Sequence, residues 1–471
     1  MLEGSGRRAA RLAASLVAGA ALWLTPPPAG LAPEPWRLFA VFAATILAIL
    51  LDALPILTAA LLGLATAVLT RVLAPADAYE GFRQGPILLI VAAFLIARSV
   101  LKSGLGARIG HWVVARFGST TLGLGYSLFL IDALIAPAFP SNTARSGALY
   151  PLALSLAANG DSRPDDGTAN RMGSYFMLCG ITSISVSSGL WLTAMVANPV
   201  GAELARARGV DVTFASWLAT SIVPSLVALA LLPWFVYRLK PPEVTRTPEA
   251  PRRAREALAA MGAPSREERW VAAIFGGIVV AWAGSSVLGL DNTAIAFLGL
   301  GLLLASGVFS AEDLRGEGEA LGTFIWFAAL YGLATGLEKT GFTAYASAHL
   351  SHALLGLPWP TAYALLILLY VALHYLFVSQ TAQLMALAPL FLGVGAELGV
   401  PAPLIAFGLL FASNYFSALT PQASGANVLF AASGYLEPRD IYRVGGLSTA
   451  LLVAILFLVG TPWILFVWGA K

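Results

Sequence analysis

Two short polar stretches in this chain carry side chains that can bind an anion. We call Ser141–Thr143 (Ser-Asn-Thr) the first tip and Ser379–Thr381 (Ser-Gln-Thr) the second tip. Each stands just before an apolar run that predicts a helix, and Ser and Thr are good N-caps. The free N–H groups and positive dipole end of a helix start bind anions, while Asn142 and Gln380 add amide donors. Two such helix starts facing each other would suit a ligand with two carboxylates, whereas few acidic residues lie nearby to bind a cationic ligand.

Three ionisable residues lie close to the tips in sequence. Arg145 follows Ser141 by one helical turn, and an arginine buried away from water is costly and usually functional. It could bind a carboxylate with two hydrogen bonds, or it could be salt-bridged or snorkelling. His374, shortly before the second tip, is either a ligand for substrate or a satisfied core histidine. Asp132 is expected to pair with a cation or to cap a helix rather than to contact substrate.

The composition places these polar residues in a strongly apolar chain. Of the 471 residues, 58% are hydrophobic and 11% are charged, whereas soluble domains carry about 25% charged residues. The natural surroundings of such a chain are a lipid bilayer. The small net charge of +3 predicts no nucleic-acid surface, and one cysteine with four scattered histidines predicts no metal cluster. We therefore expect a membrane protein without a cofactor, other than sodium if an ion binds, and not an enzyme.

Apolar segments long enough to cross a bilayer predict an all-α polytopic membrane protein with about eleven transmembrane helices. The predicted spans are 9–25, 35–51, 53–73, 85–103, 171–200, 214–238, 268–288, 291–309, 320–340, 401–433 and 443–469. Two further apolar regions, 121–160 and 359–399, contain the tips in their middles, and each half is too short to cross easily. We predict that both are re-entrant hairpins, which require surrounding protein or a cavity.

The hairpins belong to a duplicated sequence. Aligning the two tips also aligns Pro151 with Pro389, and KSGL at 102–105 matches KTGF at 339–342 at nearly the same offset. Each copy holds five spans, and since five is odd the second copy is inverted in the membrane. Inverted repeats with broken helices are typical of secondary transporters, whose substrate lies near the bilayer midplane.

The chain is thus predicted to consist of four segments with a defined orientation. These are an N-terminal first span (1–34), a first repeat (35–238), a cytoplasmic linker (239–267) and a second repeat (268–471). Arginines precede the first span and recur throughout the linker. They predict that the N-terminus and the linker lie in the cytoplasm. APRRAREALAAMG within the linker could form a short interfacial helix, but we favour a plain connection because acidic residues dilute its charge.

One span in each repeat is predicted to be broken. SISVSSGLWLTAMVANPV (183–200) and SNYFSALTPQASGAN (413–427) place Ser, Gly and Asn inside spanning segments. Unwound backbone there would offer carbonyl oxygens to Na⁺ or to substrate, although Ser and Gly also serve helix packing. The candidate substrate ligands in these breaks are Thr193, Asn198, Thr420 and Asn427. A bound sodium ion would lie near Ser141, Asn142, Gly189, Ser379, Thr381 and Ala423.

Several of these motifs resemble one known family. PSNTARSGALYP (140–151), LHYLFVSQTAQ (373–383) and GLWLTAMVANP (189–199) are similar to segments of the divalent anion/sodium symporter family. The resemblance covers essentially the full chain and is greatest to the antiporter-like branch. That branch includes plastid 2-oxoglutarate/malate translocators and bacterial citrate/succinate or tartrate/succinate exchangers. Gln380 replaces the Asn of the sodium-coupled members, whereas the proline in ALTPQASGAN (418–427) resembles those members.

The resemblance implies a homodimer in which scaffold domains hold two moving transport domains, an elevator mechanism. It also implies di- or tricarboxylate substrates bound between the two tips, in a bacterial inner membrane. From the charges of the residues we predict sodium-independent obligatory exchange of dicarboxylates, and the resemblance implies acids such as 2-oxoglutarate, malate or succinate. Fixed cations such as Arg145 and a protonated His374 would replace bound Na⁺ in compensating the dianion. The alternative is Na⁺-coupled di- or tricarboxylate symport.

Overall fold

The computed structural model describes residues 2–377 and 379–469, so residues 1, 378, 470 and 471 of the predicted segments lie outside the described part. Within these residues the regular elements are helices and no strand is formed. The first eleven are α1 (Leu2–Leu24), α2 (Pro33–Leu50), α3 (Ile56–Leu69), α4 (Pro75–Ala78), α5 (Gly85–Ser103), α6 (Leu105–Phe117), α7 (Thr121–Ile135), α8 (Asn142–Asn159), α9 (Gly173–Leu190), α10 (Ala197–Arg206) and α11 (Phe214–Leu239). The others are α12 (Glu249–Met261), α13 (Arg266–Leu288), α14 (Asn292–Ala305), α15 (Ala311–Arg315), α16 (Gly318–Lys339), α17 (Phe342–His352), α18 (Trp359–Leu373), α19 (Gln380–Glu397), α20 (Ala402–Tyr415), α21 (Asn427–Ala431), α22 (Pro438–Ile455) and α23 (Thr461–Trp468). The all-α prediction is confirmed.

Every predicted span falls on a helix or a broken helix. In the described residues, eight helical segments are long and apolar enough to cross a membrane, and α3, α14 and α20 are shorter apolar helices. Two of the eight, Thr121–Ala138 and Trp359–Leu376, are the first arms of the predicted hairpins, and at 18 residues each they are long enough to cross. The prediction that each half of a hairpin is too short to cross easily was therefore wrong for the first arms. The predicted spans 171–200 and 401–433 are interrupted, because α9 gives way to α10 and α20 to α21 across non-helical backbone.

Both arms of the first hairpin, α7 and α8, end on the same side of the molecule. The backbone N–H of Thr121 at the start of α7 donates to the carbonyl of Thr245, 3.1 Å away. At the end of α8, the Asn159 side chain accepts a hydrogen bond of 2.6 Å from Arg253 of α12. Since both ends contact residues of the linker, the chain enters and leaves on one side, which we call the linker side.

The second hairpin, α18 and α19, starts from the opposite side. Arg98 near the end of α5 lies 3.7 Å from Glu317 at the start of α16, and α5 leads into α6, which packs on α12 of the linker. From the linker side α16 therefore crosses the molecule before α18 begins. Near the start of α18, Tyr363 packs against Gly408 of α20, and Gly395 near the end of α19 packs against Ile405 of the same helix. The start of α18 and the end of α19 thus both lie beside the first half of α20, on the side opposite the linker.

The sequence landmarks KSGL and KTGF adopt the same conformation. Gly104 between α5 and α6 has φ +80°, and Gly341 between α16 and α17 has φ +91°. Only glycine enters this left-handed region without strain, and there it ends a helix. In each repeat the glycine turns a spanning helix into a shorter helix that precedes the hairpin. The linker, for which a plain connection was favoured, instead forms the helix α12, which packs on α6.

Candidate substrate site

Each tip is the capped start of a helix, as its Ser-x-Thr pattern predicts. The Ser141 hydroxyl accepts a hydrogen bond of 3.2 Å from the backbone N–H of Ala144 and is the N-cap of α8. The Ser379 hydroxyl accepts one of 3.3 Å from the N–H of Ala382 and caps α19. Both serines have extended backbone, so the chain turns sharply into each helix. The remaining N–H groups of the first turns are free to bind an anion.

The two tips meet at a cavity inside the molecule. The Asn142 side chain donates to the Gln380 side-chain oxygen at 3.0 Å, although 238 positions separate the two residues in the chain. Gln380 in turn donates to the carbonyl of Ser413 at 2.7 Å, which fixes the orientation of its amide. The cavity has a volume of about 380 Å³. Its lining includes all six tip residues, the break residues Met195, Val196, Ser424 and Gly425, and Phe94, Glu319, Gly322, Thr323 and Trp326.

Several of these lining residues carry no signal in the sequence. Glu319 and Trp326 belong to α16, which reads as an ordinary span. Ser424 and Gly425 fall in the segment predicted to be broken, but their approach to the first tip follows from the tertiary fold. A side chain at Gly425 would lie 2.7 Å from the Thr143 hydroxyl. The first tip therefore faces the break of the second repeat, while Met195 and Val196 of the first break line the same cavity.

Arg145 is fully buried directly behind the first tip rather than on the cavity wall. Its Nε lies 2.7 Å from an Asp132 carboxylate oxygen. Its terminal nitrogens donate to the Ala194 carbonyl at 2.8 Å, the Asn142 side-chain oxygen at 3.1 Å and the Ser188 hydroxyl at 2.6 Å. The guanidinium therefore supports the tip from behind, and Asp132 is the cation partner that the sequence suggested.

His374 occupies a comparable position behind the second tip. One ring nitrogen, Nδ1, faces the Gln383 side-chain oxygen, and the other, Nε2, lies 3.0 Å from the Ala423 carbonyl. Gln383 donates from its nitrogen to the Tyr370 carbonyl at 2.7 Å, so its oxygen must point at the histidine. The ring stacks on Phe416 with centroids 3.8 Å apart. Both ring nitrogens thus face acceptors, which only the doubly protonated ring satisfies completely.

The asparagines of the two breaks are buried, and their side chains donate hydrogen bonds to backbone carbonyls. Asn198 donates to the carbonyls of Ser188 and Trp191, ten and seven positions upstream. Asn427 donates to carbonyls at the same two separations, those of Ser417 and Thr420. Since the two residues are fully buried and use identical contacts, they hold matching turns in the two inverted repeats.

The other break residues also bond within the protein. The Thr193 hydroxyl donates to the Pro137 carbonyl at 2.9 Å. Thr420 is buried, and its carbonyl accepts a hydrogen bond from the Asn427 side chain. The Gly189 carbonyl accepts from Trp217 at 3.0 Å, and the Ala423 carbonyl faces His374. Of the residues singled out from the sequence, the six tip residues come together on the cavity, and the others lie behind it.

A family profile and a solved structure are similar to this chain over most of its length. The profile of the family described as "sodium:sulfate symporter transmembrane region" matches residues 7–468. A crystal structure of the YdaH transporter of Alcanivorax borkumensis is similar with a TM-score of 0.58 and 14% identity, covering 86% of this chain and 89% of that one. At this identity the likeness is one of fold.

Curated relatives extend over nearly the whole chain. The Bacillus subtilis protein YflS, which bears the provisional name of malate transporter, is 37% identical over 96% of each chain. The chloroplast dicarboxylate transporter 1 of Arabidopsis thaliana is 38% identical over 97% of this chain and 83% of its own length. The citrate/succinate antiporter of Escherichia coli K12 is 31% identical over 98% of each. These relatives are transporters and not enzymes.

Proposed function

We propose that this chain, which belongs to the divalent anion/sodium symporter family, exchanges one dicarboxylate for another across the membrane without sodium. The substrate class that we propose is 2-oxoglutarate, malate or succinate. The observation that carries the proposal is the meeting of two capped helix starts at one cavity, joined by the Asn142–Gln380 hydrogen bond of 3.0 Å.

The cavity offers two separate anion sites. The two hairpins enter from opposite sides of the molecule. The starts of α8 and α19 each bring a positive dipole end and free N–H groups to the cavity. Thr143 and Thr381 add hydroxyl donors on the lining. A molecule with a carboxylate at each end can therefore bind both helix starts at once. The relatives are named as transporters of malate, of dicarboxylates, and of citrate and succinate, and these names favour the same class of substrate.

The surroundings of Arg145 favour transport that does not need sodium. Its guanidinium lies among oxygens of Asp132, Asn142, Ser188 and the Ala194 carbonyl. Carboxylate, amide, hydroxyl and carbonyl oxygens are the hard ligands that small cations prefer. With the guanidinium among them, the chain carries its own cation behind the first tip.

His374 supplies the corresponding charge behind the second tip. Burial away from any carboxylate disfavours a charge on this ring, and we infer that the oxygens of Gln383 and Ala423 at its two nitrogens hold it as the imidazolium against that cost. Asp132 neutralises Arg145, so the imidazolium and the two helix starts are left to compensate the dianion. Moving that unpaired charge through the apolar interior is costly, and the empty carrier therefore crosses poorly, which couples influx to efflux.

A difference between the two hairpins favours an elevator movement. The second hairpin is packed on α17, where the Ser347 hydroxyl donates to the Leu390 carbonyl at 3.3 Å. In the first hairpin α7 packs on α6, the matching helix of its own repeat, but the second arm α8 is separated from α6 by a groove of about 400 Å³. In an inverted repeat the opposite state would close this groove and open the other. We propose that the hairpins and broken helices make this movement relative to a scaffold, and that the carrier is a homodimer.

The proposed setting is the bacterial inner membrane with the N-terminus and linker in the cytoplasm. The cavity lining includes Glu319 at the start of α16, on the linker side. Labelling of a cysteine placed in the linker by a membrane-impermeant thiol reagent, before and after cell lysis, tests the orientation. Labelling of the linker cysteine in intact cells would place the linker outside the cell and reverse the proposed orientation.

Mass measurement of the purified carrier by light scattering tests the proposed homodimer, and the mass of a monomer would exclude it.

The central test is counterflow in proteoliposomes with a panel of C4 to C6 acids, with and without sodium. We expect uptake of labelled malate or succinate only into vesicles loaded with a dicarboxylate, at equal rates in sodium and choline buffers. Accumulation in vesicles without internal dicarboxylate, driven by a sodium gradient alone, would refute exchange.

One observation favours the alternative, Na⁺-coupled symport. The side-chain oxygens of Asn414 and Asn427 are buried and, within the described residues, have no hydrogen-bond donor. An oxygen of this kind can be satisfied by a cation. The same counterflow assay separates the two functions, because symport predicts uptake into empty vesicles that stops when choline replaces sodium.

A further inference from the structure

A carboxylate lies in a cavity whose other features suit anions. Glu319 is in the first turn of α16 and lines the cavity together with both tips. Its Oε1 accepts a hydrogen bond of 3.2 Å from the hydroxyl of Ser141, the N-cap of α8. A negative charge at this point weakens the binding of any dianion, so its presence needs a reason other than substrate affinity.

The neighbouring acidic residues at this end of the molecule pair with basic residues. Asp313 lies 2.6 Å from Lys102, and Glu317 lies 3.7 Å from Arg98, so both are tied to α5. In the part of the chain that the structure describes, the hydrogen-bond partner of Glu319 is the hydroxyl of Ser141. The carboxylate thus stands beside the start of α8, where a substrate carboxylate would bind.

This contact joins two groups of elements. Helix α16 packs most extensively on α3 and α5, and less on α2 and on α19 of the second hairpin, whereas Ser141 belongs to the first hairpin, which the proposed function makes part of the moving group. A hydrogen bond to a charged acceptor is roughly twice as strong as one between neutral groups. The Ser141–Glu319 bond therefore holds the hairpin against α16 while the cavity contains no substrate.

We propose that Glu319 is a latch whose carboxylate takes the place of a substrate carboxylate at the first tip of the empty carrier. An arriving dicarboxylate displaces it from Ser141, and this releases the hairpin from α16 so that the loaded hairpin moves. The latch rests on the proposed dicarboxylate transport, and it adds a specific residue to the charge argument for obligatory exchange. The displaced carboxylate turns to the water at the mouth of the cavity, since Glu319 is exposed.

The test compares Glu319→Gln with the matched control Glu317→Gln in proteoliposomes. Two quantities are measured for each protein: the KM for dicarboxylate exchange, and the rate of net efflux into dicarboxylate-free buffer relative to the rate of exchange. In Glu319→Gln we expect the KM to fall by about three- to tenfold, because a competing charge near the site is removed. We also expect relative net efflux to rise about fivefold or more, because a neutral acceptor holds the hairpin less tightly. Glu317→Gln should match the wild type in both quantities.

A second variant separates the contact from the charge. Glu319→Asp keeps the carboxylate but withdraws it by about one bond length, roughly 1.5 Å, so it should leak as Glu319→Gln does. Wild-type KM and wild-type coupling in Glu319→Gln would overturn the latch, and so would wild-type coupling in Glu319→Asp. A wild-type carrier that exchanges no dicarboxylate would instead overturn the proposed function, and the latch with it.

Discussion

At the scale of single residues, Arg145 is a fully buried charge that the protein surrounds with oxygen atoms. It donates to four oxygens, those of Phe139, Asn142, Ser188 and Ala194, besides its ion pair with Asp132. Removing one member of a buried ion pair leaves the other charge without compensation. Once the guanidinium is gone, the same oxygens surround an uncompensated Asp132 carboxylate, and oxygens of these kinds are the ligands that small cations prefer.

We therefore expect Arg145→Ala to lower stability by about 3–5 kcal/mol and to become sensitive to sodium. The variant should unfold at a higher temperature in sodium chloride than in choline chloride, whereas the wild type should show no difference. Thermal unfolding in detergent measures both. The double variant Arg145→Ala/Asp132→Ala lacks the carboxylate and is the control without a sodium effect. Equal unfolding temperatures of Arg145→Ala in the two salts would contradict the idea that the guanidinium replaces a metal ion.

The threonines of the tips provide a second prediction. Thr143→Ala and Thr381→Ala each remove one hydroxyl from the cavity wall. Loss of one hydrogen bond to a charged group costs about 1.5–3 kcal/mol, so the KM for exchange should rise about tenfold or more in each variant. Thr335→Ala is the control, because this hydroxyl donates to its own helix at the Tyr331 carbonyl. A wild-type KM in either tip variant would remove that tip from the site.

The tips could be predicted from the sequence because Ser, Asn and Thr stand out inside an apolar run. Arg145 and His374 were equally visible, but the sequence left open whether they touch substrate. Their roles depend on Asp132, Gln383 and the Ala423 carbonyl, which only the folded chain brings together. Glu319 was missed because an acidic residue at a helix start is common, and 178 positions separate it from Ser141.

At the scale of elements, the two broken helices are held by one repeated device. Asn198 and Asn427 each bond to carbonyls ten and seven positions upstream, and these carbonyls belong to the turn where the helix is interrupted. A helix interrupted within a bilayer needs such partners, because no water is there to satisfy free backbone groups.

Asn198→Ala and Asn427→Ala should therefore destabilise the protein by similar amounts, about 2–4 kcal/mol each, since two buried carbonyls lose their donor. Exchange activity should fall in both variants together with stability. Asn159→Ala is the control, because this residue and its hydrogen bond from Arg253 are exposed at the end of α8 and a surface bond contributes little to stability. Unfolding temperatures of the purified variants test the prediction, and a large effect in one break with none in the other would contradict an equivalent role.

The sequence predicted the spans, hairpins and breaks well because hydropathy and helix length are local properties. It predicted the helical character of α12 less well. Helix α12 packs on α6, and its Arg253 donates a hydrogen bond to Asn159. These are tertiary contacts, which the sequence of a polar linker does not predict.

At the scale of the whole molecule, the groove of about 400 Å³ between α6 and α8 of the first hairpin distinguishes the two repeats, because in the second repeat α17 packs directly on α19. Glycines line its α6 side, among them Gly106 and Gly110. If the first hairpin moves toward α6 during transport, a covalent link across the groove must stop the cycle.

The chain is well suited to this experiment because its single cysteine, Cys179, is buried. Ala107→Cys and Ser155→Cys place one thiol on each wall of the groove. We expect a short bifunctional thiol reagent to abolish exchange in the double variant and to leave both single variants active. A cross-linked double variant with full exchange activity would mean that the hairpin does not slide along α6.

The Asn142–Gln380 bond has a consequence for biosynthesis. The first tip leaves the ribosome 238 residues before its partner, so the nascent chain enters the bilayer with half of the cavity wall and nothing opposite it. Only when the last third of the polypeptide has been inserted, and its hairpin has folded toward the first tip, do the two helix starts close around a shared space. A truncated product therefore lacks a cavity rather than having a defective one, and the membrane stays sealed to metabolites until synthesis is complete.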